Sequence, residues 1–124
     1  MTDAQWKTFF ETCAAVLGKG HRVMKQSDSW CSWTTFGRLK GNDAGYWTAG
    51  LPNAEDIGPS HINDGGVWGQ PFSYSDIAHV IVPEKFITDD GTVKSQDIKR
   101  LSRQLSAASI PCKVTAGVLE IKVY

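Results

Sequence analysis

The strongest constraint on this chain is a change of hydrophobic period near residue 20. Before it, Trp6, Phe9, Phe10, Cys13, Val16 and Leu17 fall at i, i+3, i+4, i+7, i+10 and i+11, which is one face of a 3.6-residue repeat. After it, apolar and polar residues alternate, or run in short β-branched blocks, as strands require. A chain carrying both patterns in succession has to lay helix against sheet. The first pattern predicts a helix over Asp3–Leu17, capped by Thr2 or Asp3 and stopped by Gly18 and Gly20. Burying each of its three aromatic side chains stabilises the fold by about 1.5–3 kcal/mol.

The strand pattern divides at its turn residues. His21–Gln26 reads as a strand, Gln26-Ser27-Asp28-Ser29 as a turn, and Trp30–Leu39 as a second strand. In that second strand Trp30, Thr34 and Phe36 share one face, and Cys31, Trp33 and Thr35 the other, with the Trp33 face the one left away from the helices. The Gly41–Gly45 loop then returns the chain antiparallel through Tyr46–Leu51, completing a three-stranded meander. Asp76–Val82 is a β-branched run ended by Pro83 and reads as a buried strand, with a short helix capped by Ser75 as its competitor. Asp89-Asp90-Gly91 is a turn. Ser95 is placed to cap a second helix over Gln96–Ala108, with Ile98, Leu101, Leu105 and Ala108 inward and Lys99, Arg100 and Arg103 outward. Past Pro111, Cys112–Val114 and Val118–Tyr124 form a hairpin across Thr115-Ala116-Gly117, with Leu119, Ile121 and Val123 inward. The expected fold is α+β: a mostly antiparallel sheet of five to six strands with two amphipathic helices on one face, in one domain spanning residues 1–124.

Composition narrows the class. A chain of 124 residues with 41% hydrophobic and 21% charged residues folds as one globular unit without a metal or disulfide staple. Thirteen Lys and Arg balance thirteen Asp and Glu, so no overall field draws it to nucleic acid or to a membrane surface. Cys13, Cys31 and Cys112 are an odd count without a C-x-x-C pair, which suits free thiols in a reducing compartment. No leader or membrane-spanning run is legible, so the expected address is the cytoplasm.

Catalytic motifs are sparse. No P-loop, dinucleotide fingerprint, G-x-S-x-G or H-E-x-x-H occurs. The catalytic candidates are His61 with Asp64 in a Gly-rich loop, and His79, whose neighbour Asp76 shares its face on a helix but not on a strand. His21, Cys31, His61, His79 and Cys112 lack zinc-ligand spacing, and Glu55, Asp56, Asn63 and Asp64 lack the EF-hand pattern, so neither metal nor cofactor is expected. Cys31, between two tryptophans, is a buried thiol more than a nucleophile.

Aromatic residues carry more information. Eight of the thirteen lie between Trp30 and Tyr74, and the irregular stretch Pro52–Tyr74 runs among them. Only Arg38 and Lys40 fall between these aromatics, too few cations for a base-stacking platform. Trp33, Tyr46, Trp47, Trp68 and Tyr74 are therefore the candidate binding residues, offering anchors of the types that interfaces use. The competing role for them is a second core, buried when the irregular stretch folds back. The expected function is a protein-binding module, an adaptor or stoichiometric inhibitor of phage or mobile-element type. A small enzyme with a histidine base and a pocket for a nucleotide-like ligand are the alternatives. A monomer or homodimer is expected, the latter by pairing an exposed edge such as Val118–Tyr124.

Overall fold

Thr2 opens the first helix, α1 (Asp3–Leu17), with a capping box: its hydroxyl accepts from the Gln5 amide at 3.1 Å, and its own amide donates to the Gln5 side chain at 2.8 Å. Trp6, Phe9, Phe10, Cys13 and Leu17 are buried along the expected face. Gly18, at φ +93°, ends the helix. The computed structural model describes residues 1–41, 45–63, 68 and 71–124.

The main sheet joins β1 (Cys31–Thr35), β2 (Trp47–Ala49), β5 (Ile77–Pro83), β8 (Lys113–Thr115) and β9 (Val118–Lys122). Their order is β2-β1-β5-β9-β8, antiparallel throughout. Two further pairs, β3 (His61–Ile62) with β4 (Phe72–Ser73) and β6 (Lys85–Ile87) with β7 (Val93–Ser95), form small sheets of their own. The remaining helices are α2 (Phe36–Lys40) and α3 (Ile98–Ala107). The fold is α+β, as the two periods require.

Register decides which side chains meet. Trp33 lies opposite both Trp47 and Val80, Val80 opposite Ile121, and Val82 opposite Leu119. Directly opposed residues share a face, so Cys31, Trp33, Ala49, Val80, Val82, Leu119 and Ile121 form one apolar surface. That surface meets α1 and Ile98, Leu101 and Leu105 of α3 in a single core. The opposite face presents Ser32, Thr34, Thr48, His79, Ile81, Glu120 and Lys122. The Trp33 face thus packs on the helices, the reverse of the expected assignment.

Four local expectations are corrected. Residues 21–26 form no strand, because side chains take up the backbone groups a ladder would have used. Ser27 Oγ accepts from His21 N at 2.8 Å, and Lys94 Nζ donates to the carbonyls of Lys25 at 2.6 Å and Ser27 at 2.8 Å. The strand from Trp30 stops at Thr35, whose hydroxyl caps α2 by accepting from Arg38 N at 3.3 Å. Helix α3 is capped by Asp97, which accepts from Arg100 N at 3.0 Å, while Ser95 belongs to β7 and Ala108 is exposed beyond the helix. Of the expected Val118–Tyr124 edge, Val118–Glu120 are covered by β8, so the edges of the main sheet open to pairing are β2, β8 and the end of β9 from Ile121.

The irregular stretch is partly ordered by β3 and β4, and by Tyr74, whose hydroxyl donates to Gly58 O at 2.6 Å. Within it Trp68 stacks on Trp33 with ring centroids 3.7 Å apart. Of the expected Gly41–Gly45 loop, residues 42–44 lie outside the described residues.

Candidate functional site on the open sheet face

The β-branched run of β5 carries one polar side chain, His79, and the strand's alternation turns it away from the helices. It is only 7% exposed, so its ring nitrogens need partners. Tyr46 Oη lies 2.8 Å from Nδ1, and Glu120 Oε2 lies 2.7 Å from Nε2. An ionised Glu120 can only accept, so the neutral ring carries its proton on Nε2, and Nδ1 accepts from the Tyr46 hydroxyl. Burial first, then the Tyr124 hydroxyl and the Glu120 charge, push the Tyr46 phenol up to about 12, which keeps it a donor.

Tyr46 reaches His79 because the residue before it is pinned. Arg38 Nε donates to Gly45 O at 2.6 Å, and Thr34 Oγ1 donates to the same carbonyl at 3.3 Å. The Arg38 guanidinium also lies 4.1 Å from the centre of the Trp47 ring. Trp47 is half-buried, and its inner side rests on Trp33 and Phe72, at 5.9 and 5.4 Å between centroids. The result is a fixed patch at the β2 edge in which Tyr46, Arg38 and Trp47 are held by named contacts.

The five aromatic residues singled out in the sequence part company. Trp33, Trp68 and Tyr74 are at most 4% exposed and sit in the core, joined to Phe10 and Phe72. Tyr46, 36% exposed, and Trp47 reach the surface. The indole N–H groups of Trp33 and Trp68 are buried and have no acceptor among the described residues.

Among the catalytic candidates, His61 is half-buried in β3 with Nδ1 3.2 Å from Ser60 Oγ, and Asp64 lies outside the described residues. His79 pairs with Glu120 and Tyr46, and Asp76 lies exposed in the turn that precedes β5. Glu120 and Arg38 were not singled out in the sequence. The signal for Glu120 was its place between the inward residues Leu119 and Ile121, which aims it at the same face as His79.

The chemistry available here is proton relay and rigid display. Tyr46, His79 and Glu120 form a continuous donor–acceptor chain that can pass a proton along its length. Among the described residues no group of three or more His, Cys, Asp and Glu is arranged to hold a metal ion. Cys13 and Cys31 are fully buried, and burial pushes both thiols up, away from nucleophilic use. No helix among the described residues is long and apolar enough to cross a membrane. Compared with known proteins, the chain matches no family model, no curated protein and no solved structure.

Proposed function

We propose that this protein acts by binding another protein through the patch at the β2 edge, with Tyr46 and Trp47 as its anchors. In this reading it is a cytoplasmic adaptor or stoichiometric inhibitor, of the small accessory type that phages and mobile elements carry. The observation that supports the reading is the fixing of exposed aromatic residues. Tyr46 is tied to His79, and Trp47 is clamped between Arg38 and the core. Side chains ordered before contact lose less entropy on binding, and Trp, Tyr and Arg are the types that dominate interface energetics. The β2 edge also offers main-chain groups for a partner strand.

The test is a photo-crosslinking residue placed at Thr48, the exposed position beside both anchors, with Lys99 on α3 as a control. The expected outcome is one discrete adduct from Thr48 in the native host, absent from Lys99 and lost in Tyr46→Ala and Trp47→Ala. Each variant should keep its far-ultraviolet circular dichroism. Equal capture from both positions, or capture indifferent to Tyr46 and Trp47, sinks the reading.

A second reading, an acid–base enzyme, draws on one specific observation: both nitrogens of His79 are engaged in line with Tyr46 and Glu120. In it Glu120 orients the imidazole, and the imidazole takes the proton of Tyr46 as that hydroxyl oxygen attacks an electrophilic substrate. Nitrogen-15 NMR of the His79 ring separates the two. A proton fixed on Nε2 and insensitive to a candidate substrate leaves the relay structural. A tautomer change on adding substrate favours catalysis.

A further inference from the structure

Beside β8 and the end of β9, the surface opens into a cleft of about 410 Å³. Its position follows from the β8–β9 register. Lys113 lies directly opposite Glu120, and β8 begins there, so β9 runs on through Ile121 and Lys122, and the chain on to Val123, without β8 beside it. Alternation places Lys113, Glu120 and Lys122 on the open face of the sheet and turns Ile121 and Val123 toward the other. All five line the cleft, with Tyr124. One wall is therefore polar, with two cations and one carboxylate, and the other is apolar.

We propose that this cleft binds a small organic acid that carries an amine or hydroxyl near its acid group and an apolar body. Lys113 and Lys122 are exposed and pair with the acid. Glu120, half-buried and anchored from behind by His79 at 2.7 Å, accepts a hydrogen bond from the amine or hydroxyl. Half-buried Val123 and Cys112, with exposed Pro111, carry the apolar body, and Ile121 is buried in the core. Two cations alone would take any anion, and the fixed carboxylate between them rejects acids that lack a donor by charge repulsion. The volume lies at the small end of ligand pockets, which sets the ligand at about the size of one amino acid. Glu120 also ends the Tyr46–His79–Glu120 chain, but small-molecule binding at the cleft draws on neither Tyr46 nor Trp47 as a partner anchor, so it holds or fails apart from the partner reading.

The test is a two-dimensional amide NMR titration with four probes: phenyllactate, phenylalanine, phenylacetate and phenethylamine. The expected result is saturable shifts at Lys113 and Glu120–Tyr124 with phenyllactate and phenylalanine at millimolar concentration. Phenylacetate, which has the acid without the donor, binds more weakly, and phenethylamine, which lacks the acid, does not bind. The Lys113→Ala/Lys122→Ala double variant, both positions being exposed, should keep the native spectrum and weaken phenyllactate by about tenfold or more. Glu120→Gln should remove the preference for phenyllactate over phenylacetate. The proposal is overturned by unshifted amides with both acids, by phenethylamine binding as tightly as phenylalanine, or by a double variant that still binds phenyllactate at full strength.

Discussion

Ser109 sits where a helix normally ends on glycine. After α3, Ile110 N donates to Leu105 O at 2.9 Å and Ser109 N to Ser106 O at 3.0 Å, the paired bonds of a Schellman turn. Ile110 and Leu105 are both buried, supplying the apolar contact that accompanies the motif. This turn needs a left-handed residue, and Ser109 takes φ +59° despite its Cβ. Ala116 does the same at φ +50° in the β8–β9 turn, ahead of Gly117 at φ +79°, a two-residue turn with positive φ at both positions. Such strain at an exposed site is removable. Ser109→Gly should raise stability by about 0.5–1 kcal/mol, because relief of the left-handed strain exceeds the added freedom of glycine when unfolded. Urea midpoints at unchanged m-value check it, and an unchanged or lowered midpoint refutes it. Gly50 shows the opposite situation: a Cβ there would stand 2.3 Å from His21 N, so the crossing of residues 20–21 with 50–51 depends on bare backbone.

Elements are stitched together here by side chains standing in for strands. Gln96 is 4% exposed and bonds three backbone groups at once. It accepts from Trp30 N at 2.9 Å, and donates to Trp30 O at 3.0 Å and Pro83 O at 2.8 Å. These bonds tie the segment after β7 to the start of β1 and the end of β5, beside the Trp30–Phe86 stack at 5.7 Å. Gln96→Ala leaves all three groups without a partner and should cost about 2–4 kcal/mol, with Gln96→Glu sharing much of that loss because it keeps only the acceptor. Thermal or urea unfolding measures this, and a loss below about 1 kcal/mol would mean that water reaches all three groups. Such bonds also explain what the sequence hides. Helices α1 and α3, strand β5 and the β8–β9 hairpin were legible, because each is fixed by its own period, cap or turn. The residue 21–26 strand was misread because Ser27 and Lys94 satisfy it, and Lys94 lies far along the chain. The end of β1 was missed because one hydroxyl, on Thr35, decides it. At the candidate site His79 was visible as a polar residue in an apolar run, but its partners lie 33 and 41 positions away. A search among sequence neighbours finds Asp76 instead. The aromatic cluster was legible as a cluster, whereas its division into core and surface depends on Trp68 folding back onto Trp33.

For the molecule as a whole, two tyrosines join the core and the open face in one pH dependence. Tyr74 is fully buried between Phe10 and the Gly58 carbonyl, and burial, followed by the charges of Glu11 and Asp3, pushes its phenol up to about 12. Tyr46 is raised to about 12 by its own surroundings. A phenol raised in the folded state binds its proton more tightly there than in the unfolded chain. Its contribution is therefore complete below the ordinary tyrosine value of about 10, and is lost as pH rises toward the folded value. Between about pH 10 and 12 the unfolded chain releases these protons first, so stability should fall with pH across that window and stay level with respect to these groups just below it. The buried thiols of Cys13 and Cys31, also pushed up, act in the same direction. Urea midpoints taken across the window, in wild type, Tyr74→Phe and Tyr46→Phe, separate the contributions. Each phenylalanine variant starts less stable at neutral pH, having lost the hydrogen bond to Gly58 or to His79, and then declines less steeply with alkali. A Tyr74→Phe slope equal to that of the wild type would show that Tyr74 ionises as freely in the fold as out of it, and would place the alkaline sensitivity on the thiols and the open face.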